Sequence, residues 1–327
     1  MRAIVILFAF IGLATLGAEG AEQERTTKVP APHTQIVDGS RAIEVVDLCP
    51  QFLDFYQAAV GTDPTTRWRL WGEKYGFAAV PPTPQGKELA HKMLDAAWPR
   101  YAKILPLVHH GAASVEPRPQ DVLRKVAELL ALDRPYSMQV TVYVGEFDDN
   151  AFSFKQDGRP VVAIPLEMST ERRELVFTHE MTHAVHIETA GLSGGWERSI
   201  AKTIFLEGLA MHAVQALEPG HEEREYVDSD SAWFTSAMTK SREILAGILP
   251  ELEKSDSATV TRFTYGQGTT GMTREAYAAG WIVIGELLQQ GKTFPELARI
   301  RSADMSAVVR GAIAHWLAQR GGQSPAH

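Results

Sequence analysis

The chain has one cysteine, Cys49, in 327 residues, so no intrachain disulfide can form and the fold relies on its core, with a bound ion as the other available staple. It also lacks a basic excess. Lys and Arg number 32 against 40 Asp and Glu, a formal net charge of −8, which speaks against a nucleic-acid or anionic-membrane partner. No internal repeat is visible. Long apolar runs are missing except at the start, where Arg2 precedes an apolar stretch from Ala3 to Leu16 and Ala18-Glu19-Gly20 stands before Ala21. That is the pattern of a secretory leader with a small-x-small cleavage site, and the run is short for a membrane span. The expectation is export, periplasmic or secreted, by a signal peptide at residues 1–20, with no stable membrane span afterwards and no lipobox cysteine.

Against these absences stands His179-Glu180-Met181-Thr182-His183, inside a helix-like stretch from Glu171 to Ala190. Ser169 or Thr170 is its N-cap candidate and Gly191 its stop. Residues four apart share a helix face, so His179 and His183 can aim two imidazoles at one point. Two such rings open a zinc site, and the Glu after the first His reaches a water there. Leu175, Val176, Phe177, Met181, Ala184 and Val185 make the helix largely buried, so its polar groups need partners. For a third ligand, His186 lies about 10 Å along the axis from His179, too far for one straight helix to bring all three rings to one ion. That leaves His186 beside the site or solvated. Glu207 lies on a second helix-like run, Ser199 to Leu217, among apolar neighbours. A metal would compensate its buried charge, and a buried salt bridge with an arginine would also do so.

The two helices together resemble the gluzincin metallopeptidases, in which His-Glu-x-x-His is followed one helix later by Glu in a Glu-Gly-x-Ala context, here Glu207-Gly208-Leu209-Ala210. Within that group the chain resembles the poorly characterised bacterial predicted Zn-dependent proteases more than thermolysin or the aminopeptidase N family, over residues 140 to 290. The resemblance implies an α+β fold: a zincin-like catalytic domain, with a small sheet, the His-Glu-x-x-His helix and the Glu-ligand helix, within a mostly helical chain. It implies one Zn2+ per chain held by His179, His183 and Glu207. It also implies a phenol from a later helix as oxyanion donor, for which Tyr277 in a Tyr-x-x-Gly helix start is the candidate, ahead of His212, Arg274 and His221. An Asn-Ala-Phe segment before the metal helix, Asn150-Ala151-Phe152, is expected to belong to the sheet edge that pairs with substrate backbone. Two departures stand out. Met211 occupies the place where thermolysin-like members carry an Asp that orients a ligand, and no Gly-Ala-Met-Glu-Asn motif is present, so aminopeptidase activity is unsupported.

The organisation expected is a leader at 1–20, a flexible segment at 21–40, a helical N-terminal subdomain at 41–135 and the zincin-like metallopeptidase domain at 136–327. Strands are expected at Met138 to Val144 and Pro160 to Pro165, a strand-like run at Thr259 to Tyr265, and a helix from Ser231 to Leu249. Gly266-Gln267-Gly268-Thr269-Thr270-Gly271 matches a dinucleotide-binding string, but helix-like sequence follows and no second parallel strand, so it is read as a loop. The function expected is hydrolysis of peptide bonds in a peptide or protein substrate, with zinc lowering the pKa of a water and Glu180 as general base. The competing class is an exported metal-binding or scaffolding protein without turnover.

Overall fold

Short β-branched and aromatic runs build one sheet from β1 (His33–Asp38), β2 (Arg41–Asp47), β3 (Tyr136–Tyr143), β4 (Phe152–Gln156) and β5 (Arg159–Pro165). The computed structural model describes residues 28–80, 83–192, 198–228 and 230–320, so the leader expected at 1–20 lies outside the described residues. The strand order is β1-β2-β3-β5-β4, with β2, β3 and β5 parallel and both edges antiparallel. Central β5 is apolar along most of its length, as suits a strand covered on both faces. β4 turns into β5 through Asp157-Gly158, with φ of 51° and 79°, the backbone that a two-residue hairpin turn demands.

Parallel strands need a long crossover, and the chain between β2 and β3 supplies it. It holds α1 (Cys49–Ala59), α2 (Pro64–Lys74), α3 (Pro84–Tyr101), α4 (Leu105–His110) and α5 (Pro119–Leu129). Asp63 caps α2 through the amides of Thr65 and Thr66, and Thr83 caps α3 through that of Gly86. Phe52, Phe55, Trp71, Tyr75 and Tyr101 fill the core. Two expectations are corrected here. β1 lies in the stretch read as flexible, and β2 begins the stretch read as helical. β2 pairs on both sides, with β1 across the Gly39-Ser40 turn and with β3 in the register Arg41↔Tyr136 to Asp47↔Val142.

The remaining helices are α6 (Thr170–Thr189), α7 (Ile200–Leu217), α8 (Glu223–Val227), α9 (Ser231–Thr239), α10 (Ser241–Ile248), α11 (Ser257–Thr264), α12 (Glu275–Gln289), α13 (Phe294–Ala298) and α14 (Met305–Arg320). The chain forms two compact units, one with the residues up to Val122 plus Arg134–Phe177, the other with Leu123–Asp133 and everything from Thr178. The chain therefore passes between the units within α5, between Asp133 and Arg134, and within α6. Two further corrections concern secondary structure. The run Thr259 to Tyr265 is mostly helix α11, because Asp256 caps it by accepting from Thr259 N at 2.9 Å and Val260 and Phe263 bury one face. The helix expected from Ser231 to Leu249 is two, α9 and α10, broken at Lys240.

In the second unit α7 and α12 are apolar nearly all round, which marks them as core helices. They cross at two glycines. A Cβ on Gly208 would stand 2.3 Å from the Gly280 carbonyl oxygen, and one on Gly280 would stand 2.7 Å from that of Ile204. The N-terminus of α12 is pinned from below by Glu275, whose fully buried carboxylate accepts from the amide and hydroxyl of Thr269 (2.8 and 2.9 Å) and of Thr270 (both 2.7 Å). The Gly-x-Gly-x-x-Gly loop is thus an anion cradle, and the anion it holds is the protein's own. Gly268 must be glycine, since a Cβ there would lie 2.2 Å from the Glu275 carboxyl carbon.

Helix propensity alone favours Ala over Gly by about 1 kcal/mol. Gly311→Ala in α14, where a Cβ meets nothing within 4 Å, should gain up to that amount in denaturant unfolding. Gly280→Ala should instead lose about 2 kcal/mol, because backbone must move to admit the methyl. Equal signs for the two substitutions would contradict the crossing.

Candidate metal centre

Helix α6 starts where Ser169 Oγ accepts from Arg172 N at 3.3 Å and stops before Gly191, whose φ of 63° suits a glycine C-cap. It carries His179 and His183 on one face, their ring centroids 4.7 Å apart and nearly perpendicular. The Nε2 atoms face each other at 3.0 Å. Helix α7 is capped by Ser199, which accepts from Lys202 N, and places Glu207 opposite the two rings. Glu207 Oε2 is 3.3 Å from His179 Nε2 and 3.3 Å from His183 Nε2.

These three atoms form a nearly equilateral triangle. Tetrahedral zinc with ligand bonds near ~2.1 Å holds its ligand atoms roughly 3.4 Å apart, so the donors have the spacing and chemistry of that ion. Among the described residues this is the group of His, Cys, Asp and Glu side chains that could hold a metal ion. Burial pushes the His183 pKa down despite Glu207, which keeps the imidazole in the neutral form that ligates. Burial opposes ionisation of Glu207, but the charge His183 carries when protonated, bonds from both imidazoles and the Arg198 charge outweigh it and hold the carboxyl well below its usual range. Glu207 has no exposure, while the His179 side chain retains 12%, so the triad meets solvent on the His179 side. Glu180, one step from His179 on α6, is buried.

The sequence reading missed Arg198. Its Nη2 donates to Glu207 Oε1 at 2.6 Å and its Nε to Thr203 Oγ1 at 3.3 Å. The arginine salt bridge offered as one explanation for Glu207 is present at Oε1, while Oε2 faces the two imidazoles.

Tyr277 follows from the helix crossing, since it precedes Gly280 by one turn as Glu207 precedes Gly208 by one residue. Its phenol is buried, and burial, then the charges of Glu207 and Tyr265, keep its pKa well above the ordinary value. It stays a neutral donor in the electrostatic range of Glu207. The Arg274 guanidinium lies 4.2 Å over its ring and pairs with Asp228 at 2.6 Å. Of the competitors, His212 stacks on Trp281 at 4.0 Å and bonds its carbonyl at 2.8 Å, and His221 packs edge-on against Tyr226. Of the two places expected for His186, the solvated one is excluded: the ring is almost fully buried, packed near Phe205, with neither ring nitrogen hydrogen-bonded.

Asn150, Ala151 and Phe152 are also corrected in part. They belong to the other compact unit, and all three side chains are buried. Asn150 Nδ2 donates to Ala79 O at 3.2 Å, its carbonyl accepts from the Tyr143 hydroxyl, and Phe152 packs among Tyr143, Phe154 and Ala163. Such side chains hold the core together. What this segment offers outward is the main chain of β4, an edge of its sheet. The turn before it is anchored by Glu167, which accepts from the amides of Gly145 and Phe147 (3.0 and 3.2 Å) and which burial raises to about 7.

A family model described as predicted Zn-dependent protease matches residues 153–307, a stretch that begins at β4 and contains His179, Glu180, His183, Glu207 and Tyr277. The match supports a zinc-protease family for this part of the chain. No curated protein and no solved structure matches the chain.

Burial, with a lesser contribution from His183, lowers the His186 pKa from 6.5 to about 3. The unfolded chain protonates this ring near pH 6.5 while the folded chain cannot, so stability from its neutral burial is full above that pH and declines as the pH falls toward 3. His186→Met carries no titrating group and should flatten the decline, read from denaturant midpoints of metal-free protein across that window. Parallel curves for parent and variant would rule this out.

Proposed function

We propose that the chain is a zinc-dependent peptidase of the gluzincin type, with His179, His183 and Glu207 as ligands of one Zn2+. The observation that carries the proposal is the triangle of ligand atoms, 3.0 to 3.3 Å on a side, with a buried glutamate next to one vertex on the same helix. A zinc ion there would act as a Lewis acid toward a carbonyl and bring the pKa of a water toward ~7. Glu180 would take the proton from the attacking water and return it to the departing amine nitrogen. The Tyr277 phenol, kept neutral by burial, would donate to the oxygen on which negative charge develops, adding no charge of its own. An extended peptide is the substrate form that an open strand edge such as β4 takes by strand addition.

Four substitutions test the assignment together. Glu207→Ala should lose zinc, whereas His186→Ala should keep most of it. Glu180→Gln should keep zinc and fold, yet lower peptide hydrolysis by roughly two to four orders of magnitude. Tyr277→Phe should cost roughly a hundredfold. Unchanged cleavage by Glu180→Gln would sink the mechanism. Zinc bound in parent and variant with no cleavage of any peptide library would favour a metal-binding or scaffolding role instead.

The proposal includes export, on the strength of Arg2, the apolar run to Leu16 and the Ala18-Glu19-Gly20 ending. Intact-mass analysis of exported protein should find a chain beginning at Ala21. A soluble cytoplasmic pool beginning at Met1 is the contrary result.

A further inference from the structure

Glu207 divides its two oxygens between different partners. Oε2 is equidistant from both imidazole nitrogens at 3.3 Å, and Oε1 accepts a short 2.6 Å bond from Arg198. The guanidinium is itself held by Thr203 Oγ1 at 3.3 Å, a hydroxyl that in turn donates to Ser199 O at 3.3 Å on the first turn of α7. Thr203 and Glu207 lie four residues apart on the same helix and both are fully buried. Carboxylate, cation and hydroxyl therefore form a connected chain that engages Oε1 and leaves Oε2 to the imidazoles.

We propose that Arg198 is a positioning residue that makes Glu207 a one-oxygen ligand and so tunes the centre for a four-coordinate ion such as zinc. The inference rests on the zinc-site reading above. A carboxylate free to swing can present both oxygens, raising the coordination number and suiting hard ions such as Mn2+, which favour oxygen-rich, higher-coordinate sites. A guanidinium committed to Oε1 prevents that swing by charge-assisted hydrogen bonding. Its positive charge also draws electron density from the carboxylate, which leaves the bound ion a stronger Lewis acid than a free carboxylate would.

The test compares parent, Arg198→Gln and Arg198→Lys, loaded separately with Co2+, Zn2+ and Mn2+. The Co2+ parent should show the intense visible bands of a four-coordinate ion, and Arg198→Gln the weaker bands of a higher-coordinate one. The ratio of Zn2+ to Mn2+ affinity should fall about tenfold or more in Arg198→Gln. Arg198→Lys, which keeps a cation at the same oxygen, should return both readouts toward the parent. A parent-like cobalt spectrum and affinity ratio in Arg198→Gln would overturn the inference. Should Arg198→Gln fail to fold, a folded Arg198→Lys with weak cobalt bands and a collapsed ratio would do so as well. A parent that takes up neither Zn2+ nor Co2+, or whose uptake survives His179→Ala, instead removes the zinc-site reading itself.

Discussion

A carboxylate without access to water is the constraint around which the second unit is arranged. Glu207 sits on a helix buried almost all round, where an uncompensated charge would cost several kcal/mol. Its polar neighbours come from three directions: Arg198 at one oxygen, His179 and His183 at the other. None of these partners lies in α7 itself. Each is delivered by another stretch of chain, so the local conformation of α6 and of the segment before Ser199 is tied to the charge on α7.

The same helix reaches the second half of the site through glycine. Gly208 and Gly280 let the backbones of α7 and α12 approach until any side chain would collide with a carbonyl. The contact sets the height of α12 against α7, and thereby the position of Tyr277 one turn before Gly280. Glu275 fixes the helix start from the other side, by filling the amide and hydroxyl cradle of Thr269 and Thr270. Three features that look like separate motifs in the sequence, Glu-Gly-x-Ala, Tyr-x-x-Gly and the glycine-rich loop, are parts of one packing solution.

What was legible in the sequence follows the range of each interaction. His179 and His183 are four residues apart, and helix geometry brings them together whatever else the chain does. The cap at Ser169 and the stop at Gly191 are equally local and stand where the sequence points. Arg198 was invisible because it belongs to no periodic pattern and reaches Glu207 only once α7 has formed. β2 has one local partner, β1 across the Gly39-Ser40 turn, which the reading overlooked, and one distant partner, β3, which lies beyond the whole helical crossover. At α11 the Thr, Val, Phe and Tyr content suggested strand, and a single N-cap aspartate with buried Val260 and Phe263 decided for helix. Asn150, Ala151 and Phe152 show the converse limit: a segment can be placed beside a sheet from its sequence, while the burial of its side chains cannot.

Comparing two buried glutamates in the same unit shows why the triad suits a cation. Glu275 receives four hydrogen bonds at 2.7 to 2.9 Å and needs nothing further, so this fold can bury a carboxylate for structure alone. Glu207 Oε2 has only two imidazole nitrogens at 3.3 Å, and these stand 3.0 Å from each other. A neutral imidazole carries one N–H, so each Nε2 is either a donor or a lone pair. If both Nε2 atoms carry protons, two donors oppose each other across 3.0 Å; if one does, a lone pair still meets a lone pair along one edge; if neither does, all three edges are repulsive. No assignment of protons to neutral rings satisfies the triangle. A single positive ion facing all three lone pairs would, which gives the candidate site an electrostatic argument beside its resemblance to a motif.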